Sequence, residues 1–379
     1  MVDSNVKRSF YRNLLDTNTN NFKKNEGKHI ALLGPRKCGK TSIIKNHIKN
    51  VKDVVPVYVD FSKISLNPEN FSVEYIGNVA FSFLKKSPKD YKKFLVLDNL
   101  VKLEGELNSS SAFSLIKSVE NELLKIKPNQ KLIVENAFGF ADALGRDSKK
   151  KFLIVWDNIE NLLDMNNFSQ IKDVFSLINF GSDNVSYIAA SSAVKESLHS
   201  LKQFECYEMK NLEKEESILL IEENAGKIDA GSSEEIFNLC NGNYYAMIAV
   251  SQRFREIKNS RKAFLIELLQ KNNPLYNYCN DSLNYYYNRA RGQTLLKTIL
   301  KVVANDELRL TDIAKKIYRS APVTKSVIER LIQTDIIYKN GNKFCFTDNV
   351  LRLWIKLTSL GYEFDEIDDK MLDEVAKLL

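Results

Sequence analysis

Long uninterrupted apolar runs are missing from this chain of 379 residues. It contains no stretch of about 18 apolar residues, the length that crosses a bilayer as a helix. The first ten residues, MVDSNVKRSF, also have no apolar segment of the kind found in signal peptides. These absences argue against membrane insertion and against secretion. We therefore expect the protein in the cytoplasm.

Cysteine pairs at redox or metal-binding spacing are missing as well. No CxxC pair occurs, and the five cysteines are scattered at Cys38, Cys206, Cys240, Cys279 and Cys345. An odd number of widely separated thiols argues against a disulfide framework and against a zinc site. We expect these residues to be buried thiols.

Charge and length set the broad class of the protein. The chain has 55 Lys and Arg against 48 Asp and Glu, and the resulting net charge of +7 is spread over the whole sequence. This slight excess permits contact with nucleic acid but is weak support for it. Since a single hydrophobic core stops growing at roughly 250 to 300 residues, we expect two or three domains.

Glycines are few, but two of them, Gly34 and Gly39, lie in the segment GPRKCGKTS at 34–42. The segment follows a short apolar run (28–33) and precedes a stretch with helical spacing of apolar residues (41–52). A GxxxxGK[ST] loop between a strand and a helix directs its backbone N–H groups at phosphate oxygens, and the helix presents its positive end to the same anion. In this pattern Lys40 reaches the β- and γ-phosphates and Thr41 binds Mg²⁺. The predicted nucleotide-binding residues are Gly34, Pro35, Arg36, Lys37, Cys38, Gly39, Lys40, Thr41 and Ser42.

A loop of this class needs an acidic residue for the metal, normally at the end of a second buried strand. The two candidates are Asp98 in KKFLVLDN and Asp157 in KKKFLIVWDN. Apolar residues at helical spacing follow Asp98, so we interpret that region as a helical insertion with Asp98 on its surface. Asp157 ends a continuous β-rich run that follows a helical stretch (131–144) and precedes, after an intervening helix, the apolar run VSYIAAS. Because this alternation is typical of a parallel sheet, we predict that Asp157 binds the metal.

The residue after the metal acid bears on catalysis. Many ATPases of this kind have a glutamate there that polarises the attacking water, whereas this chain has Asn158. An amide can hold a water molecule but cannot accept its proton at neutral pH. Glu160 could substitute if the strand has already turned into a loop, although on a helix it could equally be a solvated charge. The catalytic candidates are therefore Lys40, Asp157, Asn158 and Glu160.

Several segments together resemble the archaeal ATPase family, a group of STAND-type ATPases among the AAA+ proteins that is close to the archaeal origin-recognition initiators. The segments are GPRKCGKTS, VPVYVDFS, NPENFSVEYIGNVAFSFL, FLIVWDNIENLL and YIAASS. The resemblance implies ATP and Mg²⁺ as ligands, a P-loop core over residues 1–206 and a helical lid over 207–290. In the lid turn the chain has Gly242 and Tyr244 where the family has a Gly-x-Pro sequence.

The resemblance also implies a polar sensor residue at the end of the strand VSYIAAS. Ser191 or Ser192 could bind the attacking water or a phosphate oxygen, and the alternative is that these serines cap the next helix. Arg253 and Arg255 could reach a phosphate from the lid, although exposed helix charges are the more common outcome.

Residues 291–360 have the pattern of three helices followed by a hairpin with an Asn340-Gly341 turn, which predicts a winged helix. The segment also resembles the C-terminal winged-helix domain of the same family. The third helix, 322–335, carries only Lys325 and Arg330 as cations, while residues of the hairpin would suit phosphate contacts. Binding of duplex DNA and a packing or regulatory role therefore both remain open.

The sequence thus predicts an α/β, parallel-sheet P-loop NTPase core of AAA+/STAND type, an α-helical lid, a winged helix and an acidic tail helix at 361–379. ATP bound between core and lid would act as a switch on the winged helix, and slow hydrolysis would reset it. The rival interpretations are an ATP-dependent DNA-binding factor, a signalling ATPase that contacts protein and forms homo-oligomers, and a scaffold that barely hydrolyses ATP.

Overall fold

The computed structural model describes residues 8–168, 170–290 and 293–378. The chain divides into two units. The core unit comprises Arg8–Gly34 and Lys40–Met209, and the second unit comprises Pro35–Gly39 together with the chain from Lys210 onward. The predicted domain boundaries after residues 206, 290 and 360 stay predictions.

A five-stranded parallel sheet with the strand order β2-β3-β4-β1-β5 forms the centre of the core unit. The strands are β1 (His29–Leu33), β2 (Val55–Asp60), β3 (Phe152–Asp157), β4 (Val185–Ser191) and β5 (Phe204–Glu208). Every residue of β3 and β4 is buried, because helices cover both faces of a parallel sheet and its inner strands are apolar on both sides. The predicted parallel sheet is confirmed.

Helices surround this sheet. They are α1 (Arg8–Lys23), α2 (Lys40–Asn50), α3 (Pro68–Leu84), α4 (Leu97–Leu100), α5 (Glu104–Leu107), α6 (Ser110–Leu123), α7 (Gln130–Ser148) and α8 (Val194–Ser200). Asp98 is exposed on α4, which confirms its interpretation as a surface acid of a helical insertion. The helix predicted between β3 and β4 is present as two 3₁₀ helices, Ile159–Asn167 and Val174–Leu177.

Aromatic packing fixes the end of β3. The side chain of Trp156 is fully buried, its Nε1 donates to the Tyr75 hydroxyl at 3.2 Å, and its ring lies 4.3 Å from that of Tyr187. Buried aromatic groups pack at interior density and are restricted in orientation. The strand is therefore held firmly at the residue that precedes Asp157.

The second unit is mainly helical. Its helices are α9 (Lys214–Ala225), α10 (Ala230–Cys240), α11 (Tyr244–Ile257), α12 (Ser260–Leu269), α13 (Pro274–Ala290), α14 (Gln293–Asn305), α15 (Leu310–Lys316), α16 (Ala321–Gln333), α17 (Asn349–Ser359) and α18 (Asp369–Val375). An antiparallel sheet of order β6-β8-β7 is built from β6 (Leu308–Arg309), β7 (Ile337–Asn340) and β8 (Lys343–Phe346). The tail helix is shorter than predicted and buries Leu372 and Val375.

One carboxylate connects three helices of the second unit. Asp348 Oδ1 accepts the backbone N–H groups of Val350 and Leu351 and so caps α17. Its Oδ2 accepts the hydroxyl of Tyr278 on α13 and the amide of Asn243 at 3.2 Å, and Asn243 caps α11. Capping groups that share hydrogen bonds reinforce one another when they are shielded from water.

Gly242 lies in the turn before α11 with a φ of +71°, and an added Cβ would lie 2.3 Å from the carbonyl oxygen of Leu212. We expect Gly242→Ala to lower the free energy of unfolding by about 2–4 kcal/mol, because it combines left-handed strain with overpacking against backbone. Gly341→Ala is the matched control, since Gly341 has a φ of +59° with nothing within 4 Å of its Cβ. Equal losses for the two variants in urea unfolding would contradict the close approach at Gly242.

Two further predictions bear on the whole described chain. The five cysteines are free; four are buried and Cys206 is half-buried, so buried thiols are confirmed for all but that one. In the described ranges, no helix combines the length and apolar character needed to cross a bilayer.

Candidate functional site

The loop that contains Gly34 and Gly39, residues 34–39, connects β1 to α2, as its position in the sequence predicts. Gly39 has a φ of +96°, a value that glycine adopts without a Cβ penalty, and Lys37 is left-handed at +59°. The helix begins at Lys40, so the free N–H groups of its first turn directly follow the loop. A loop that ends in the positive end of a helix is the backbone arrangement that binds phosphate.

Two basic side chains of this loop stack on tyrosines of the second unit. The Arg36 guanidinium lies 4.6 Å from the ring centre of Tyr285 on α13, and the Lys37 ammonium lies 5.4 Å from that of Tyr245 on α11. These are cation–π distances. Of the other predicted loop residues, Cys38 is buried and Ser42 is exposed.

The ammonium of Lys40 lies within the core unit and is 6% exposed. Its Nζ donates to the carbonyl oxygen of Gly34 at 2.7 Å and to the Ser192 hydroxyl at 3.2 Å. The backbone N–H of Gly34 in turn donates to the carbonyl oxygen of Ser191 at 3.2 Å. These bonds hold the cation at the carboxyl ends of β1 and β4.

Asp157 is the centre of a second group of contacts and is 2% exposed. Its Oδ2 accepts the Thr41 hydroxyl at 2.8 Å and the Tyr58 hydroxyl at 2.6 Å. Burial and the hydrogen bond to Asp157 raise the pKa of Tyr58, so this phenol stays protonated and donates. A carboxylate beside a threonine hydroxyl is a set of oxygen ligands that suits Mg²⁺. The structure therefore brings together the two residues that the sequence nominates for the metal.

Asn158 follows Asp157 in a left-handed conformation, with a φ of +55°. Its Nδ2 donates to Asp60 Oδ1 at 2.7 Å. Asp60 ends β2 and is the register partner of Asp157 on β3. Burial alone would raise the pKa of Asp60, but hydrogen bonds from Ser62 and Asn158 outweigh it and leave this pKa below its usual value. The sequence analysis nominated neither Asp60 nor Tyr58.

Glu160 is 1% exposed, so its interpretation as a solvated charge is wrong. It lies on the 3₁₀ helix after β3, where Oε2 accepts the Ser191 hydroxyl at 2.8 Å and Oε1 accepts the backbone N–H of Ser192 at 3.2 Å. The Ser197 hydroxyl donates to Ser191 Oγ at 2.6 Å. Ala193 lies directly before α8, at the N-cap position, and its side chain makes no capping hydrogen bond. Ser191 thus bonds Glu160, Ser197 of α8 and, at 3.1 Å, the backbone N–H of Ala193, and it does not cap α8.

The two arginines of the predicted lid, Arg253 and Arg255, are bonded inside the second unit. Arg253 donates to Glu267 and to Glu256, both at 2.8 Å, and Arg255 donates to the carbonyl oxygen of Glu223 at 3.3 Å. Arg253 is part of a half-buried ion-pair network, which differs from the exposed charge that the sequence favours. Neither contact involves the predicted site residues.

Comparison with protein-family models gives no match, and no curated protein matches the sequence. Among solved structures, the chain is similar to a Walker-type ATPase of Pyrococcus abyssi, with a TM-score of 0.61, 14% identity and coverage of 90% of this chain and 95% of that one. More distant similarities are to Cdc6p of Pyrobaculum aerophilum (TM-score 0.38, 13% identity, coverage 98% and 94%) and to Drosophila ORC bound to DNA (0.44, 8%, 94% and 88%). The first similarity shows the fold, so the predicted parallel-sheet P-loop NTPase fold of the core is confirmed.

Proposed function

We propose that the protein binds ATP with Mg²⁺ at residues 34–42 and acts as a nucleotide-dependent switch with slow hydrolysis. The observation that carries this proposal is the 2.8 Å hydrogen bond between the Thr41 hydroxyl and the Asp157 carboxylate. Thr41 directly follows the buried Lys40 in the chain. Lys40 and Thr41 lie at the start of a helix that follows a glycine loop. The Lys40 ammonium suits the negative phosphates, and the Thr41 and Asp157 oxygens suit the Mg²⁺ of a magnesium-bound triphosphate.

Each residue of the site has a defined part in this proposal. The backbone N–H groups of the loop and of the first turn of α2 would bind the phosphates, and Lys40 would offset their charge. Thr41 and Asp157 would hold Mg²⁺, which when bound neutralises charge on the phosphate oxygens. The hydrogen bond from Tyr58 keeps the Asp157 carboxylate in one orientation. Ser192 would keep the Lys40 ammonium beside the end of β4.

A chain of contacts within the second unit supports the switch. Lys37 of the loop stacks on Tyr245, whose ring lies 5.6 Å from that of Tyr278. Tyr278 donates to Asp348, the residue that caps α17. The loop is therefore connected to the start of α17 by a continuous series of contacts, which is one arrangement that can carry coupling between sites.

We further infer that α14, α15, α16 and the β6–β8 sheet form a winged-helix domain. Lys339, Asn340 and Lys343 of its hairpin are exposed, which suits contact with the backbone of duplex DNA. The ion pair between Lys325 and Glu329 at 3.8 Å instead leaves α16 with little free positive charge. This pair and the 47% exposed Val323 favour the second candidate, a signalling or scaffold ATPase whose winged helix binds protein.

The experiment that separates these candidates uses one sample of the full chain. Isothermal calorimetry with ATP and Mg²⁺ should show saturable binding, and the absence of heat would contradict both candidates. Fluorescence anisotropy with a labelled DNA duplex is then measured at low and high salt, with and without ATP. Binding that weakens steeply with salt supports DNA association. No DNA binding together with ATP-dependent homo-oligomers in light scattering supports the second candidate.

A further inference from the structure

The segment 85–93 of the core unit is rich in lysine. It contains five lysines and a single acid, Asp90. Two of the lysines have acidic partners, since Lys93 pairs with Asp90 at 2.7 Å and Lys86 pairs with Glu106 at 2.6 Å. The other three are exposed and, among the described residues, have no carboxylate within ion-pair distance: Lys85, Lys89 and Lys92. The segment therefore presents positive charge to solvent that no neighbouring acid offsets.

Aromatic contacts fold this segment back along the last turns of α3. The Tyr91 hydroxyl donates to Asn78 Oδ1 at 2.9 Å, and the rings of Tyr91 and Phe94 lie 5.2 Å and 5.5 Å from that of Phe81. Asn78 and Phe81 belong to α3. Because its aromatic side packs against α3, the 3₁₀ helix Pro88–Leu95 turns its lysines to solvent.

Two more lysines lie at the same end of α3. The Lys150 ammonium is 4.6 Å from the ring centre of Phe83, and that ring stacks on Phe152 with centres 6.0 Å apart. Phe83 is two residues before Lys85, and Phe152 begins β3. Lys149 and Lys150 are exposed, and neither is paired with a carboxylate in the part of the chain that the structure describes. Together five residues form what we call the basic surface: Lys85, Lys89, Lys92, Lys149 and Lys150.

The basic surface lies away from the proposed nucleotide site. Phe152 is the first residue of β3 and Asp157 is the last, so these lysines are near the amino end of a strand whose carboxyl end holds the predicted metal acid. Like charges repel one another, and such a group lowers the stability of the fold unless an anion covers it. The negative ends of α3 and α7 offset this repulsion in part, at their cap residues Lys85 and Lys149.

The chemistry of the basic surface indicates a polyanion as its partner. Lysine binds phosphate oxygens as a point charge, and a duplex carries about one negative charge per 1.7 Å of its axis, so one duplex can neutralise several lysines together. Membrane and protein partners also need apolar anchors. The aromatic side chains of this region pack on the core unit, and Val96, which is 48% exposed, is the one large apolar side chain that is exposed between residues 83 and 97.

We propose that the basic surface binds the phosphate backbone of duplex DNA without reading its sequence. Contacts to phosphate oxygens position a protein on a duplex but carry no sequence information. Such binding rests on the DNA-associated candidate described above, and it adds a contact on the core unit to the one suggested for the winged-helix hairpin. It does not require ATP, because the basic surface and the proposed nucleotide site lie at opposite ends of β3.

The test measures fluorescence anisotropy of two labelled duplexes of unrelated sequence with the full chain, at about 50 to 200 mM salt and without nucleotide. The native protein should bind both duplexes equally. The triple variant K85A/K89A/K92A should weaken binding at low salt by at least about 10-fold. It should also reduce the slope of log affinity against log salt by about 2 to 3, because each phosphate contact contributes about 0.9. The double variant K149A/K150A should reduce this slope by about 1 to 2.

The matched control removes three other exposed lysines of the core unit, K127A/K131A/K172A. These lysines lie near the start of α7, where Gln170 Oε1 accepts the backbone N–H of Gln130 at 3.0 Å, at the other end of that helix from Lys149. The control has the same net charge as the triple variant, and it should keep the native affinity and slope. Thermal unfolding checks that each variant is folded, and the double variant decides if the triple variant is not.

Three results would overturn the role of the basic surface and leave the rest of the proposed function standing. The first is a native slope in both basic-surface variants with binding lost in K339A/K343A, which would assign DNA to the winged-helix hairpin. The second is an equal loss in the control, because binding would then follow net charge alone. The third is binding of phosphatidylserine vesicles without binding of either duplex, which would indicate a membrane partner. If the native protein binds no duplex and no vesicle, the DNA-associated candidate is refuted together with the basic surface, and calorimetry still decides ATP binding.

Discussion

Lys40→Ala is expected to lower ATP affinity by about 10- to 100-fold, because a charged hydrogen bond contributes about 1.5–3 kcal/mol and each 1.4 kcal/mol corresponds to a factor of ten. Hydrolysis should fall further, by about 100-fold or more, since the ammonium also offsets charge that develops on the phosphates during transfer. Lys40 is the buried cation between the Gly34 carbonyl and Ser192. Calorimetry and a phosphate-release assay measure the two effects separately.

Lys49→Ala is the matched control for this prediction, since Lys49 is exposed on the same helix α2. It should bind and hydrolyse ATP as the native protein does. Thermal unfolding of both variants checks that the loss at Lys40 does not come from unfolding. Equal rates in the native protein and in Lys40→Ala would mean that any observed hydrolysis arises elsewhere, from a contaminant or from another site.

Asp157→Asn should abolish the stimulation of hydrolysis by Mg²⁺ and lower kcat by about 100- to 1,000-fold, the range for removing one preorganised electrostatic group. The change keeps the shape of the side chain and an oxygen that can accept from Thr41 and Tyr58, but it removes the negative charge that binds a divalent cation. A titration with Mg²⁺ at saturating ATP should show the native protein responding and the variant failing to respond.

Asp98→Asn is the control for this second prediction, because Asp98 ends a similar apolar segment but lies exposed on α4. It should keep the native response to Mg²⁺. If Asp157→Asn retained that response and Asp98→Asn lost it, the metal acid would have to be sought in the helical insertion. A loss of Mg²⁺ response in both variants would point to a general effect of charge on the protein.

The parts of the site that could be predicted from sequence are those determined by neighbouring residues. The GxxxxGK[ST] loop is recognisable because its two glycines, its lysine and its threonine lie within eight residues between a strand and a helix. The place of Asp157 at the end of a buried strand could be predicted because the apolar run before it is long enough to be a central strand. Both signals depend on local chemistry, so they need no knowledge of the order of strands.

Asp60 and Tyr58 could not be found in this way. Their proximity to Asp157 depends on β2 lying beside β3, and a sequence of alternating strands and helices does not specify which strands are neighbours. The signal that was present is that Asp60 ends a predicted strand, where parallel sheets place their functional groups. The burial of Glu160 could not be predicted from the sequence either. Glu160 lies on a 3₁₀ helix of nine residues, which has no apolar periodicity that distinguishes its inner face.

The Asp348 carboxylate has a consequence for how the second unit folds. Because its two oxygens bond the starts of α11 and α17 and the second turn of α13, none of these helices can open at that point without breaking bonds of the others. Segments that share such bonds open in a concerted manner and form a single cooperative element of the native ensemble. The starts of α11 and α17 are therefore expected to gain and lose protection from solvent together, although about one hundred residues lie between them in the chain (348 − 243 = 105).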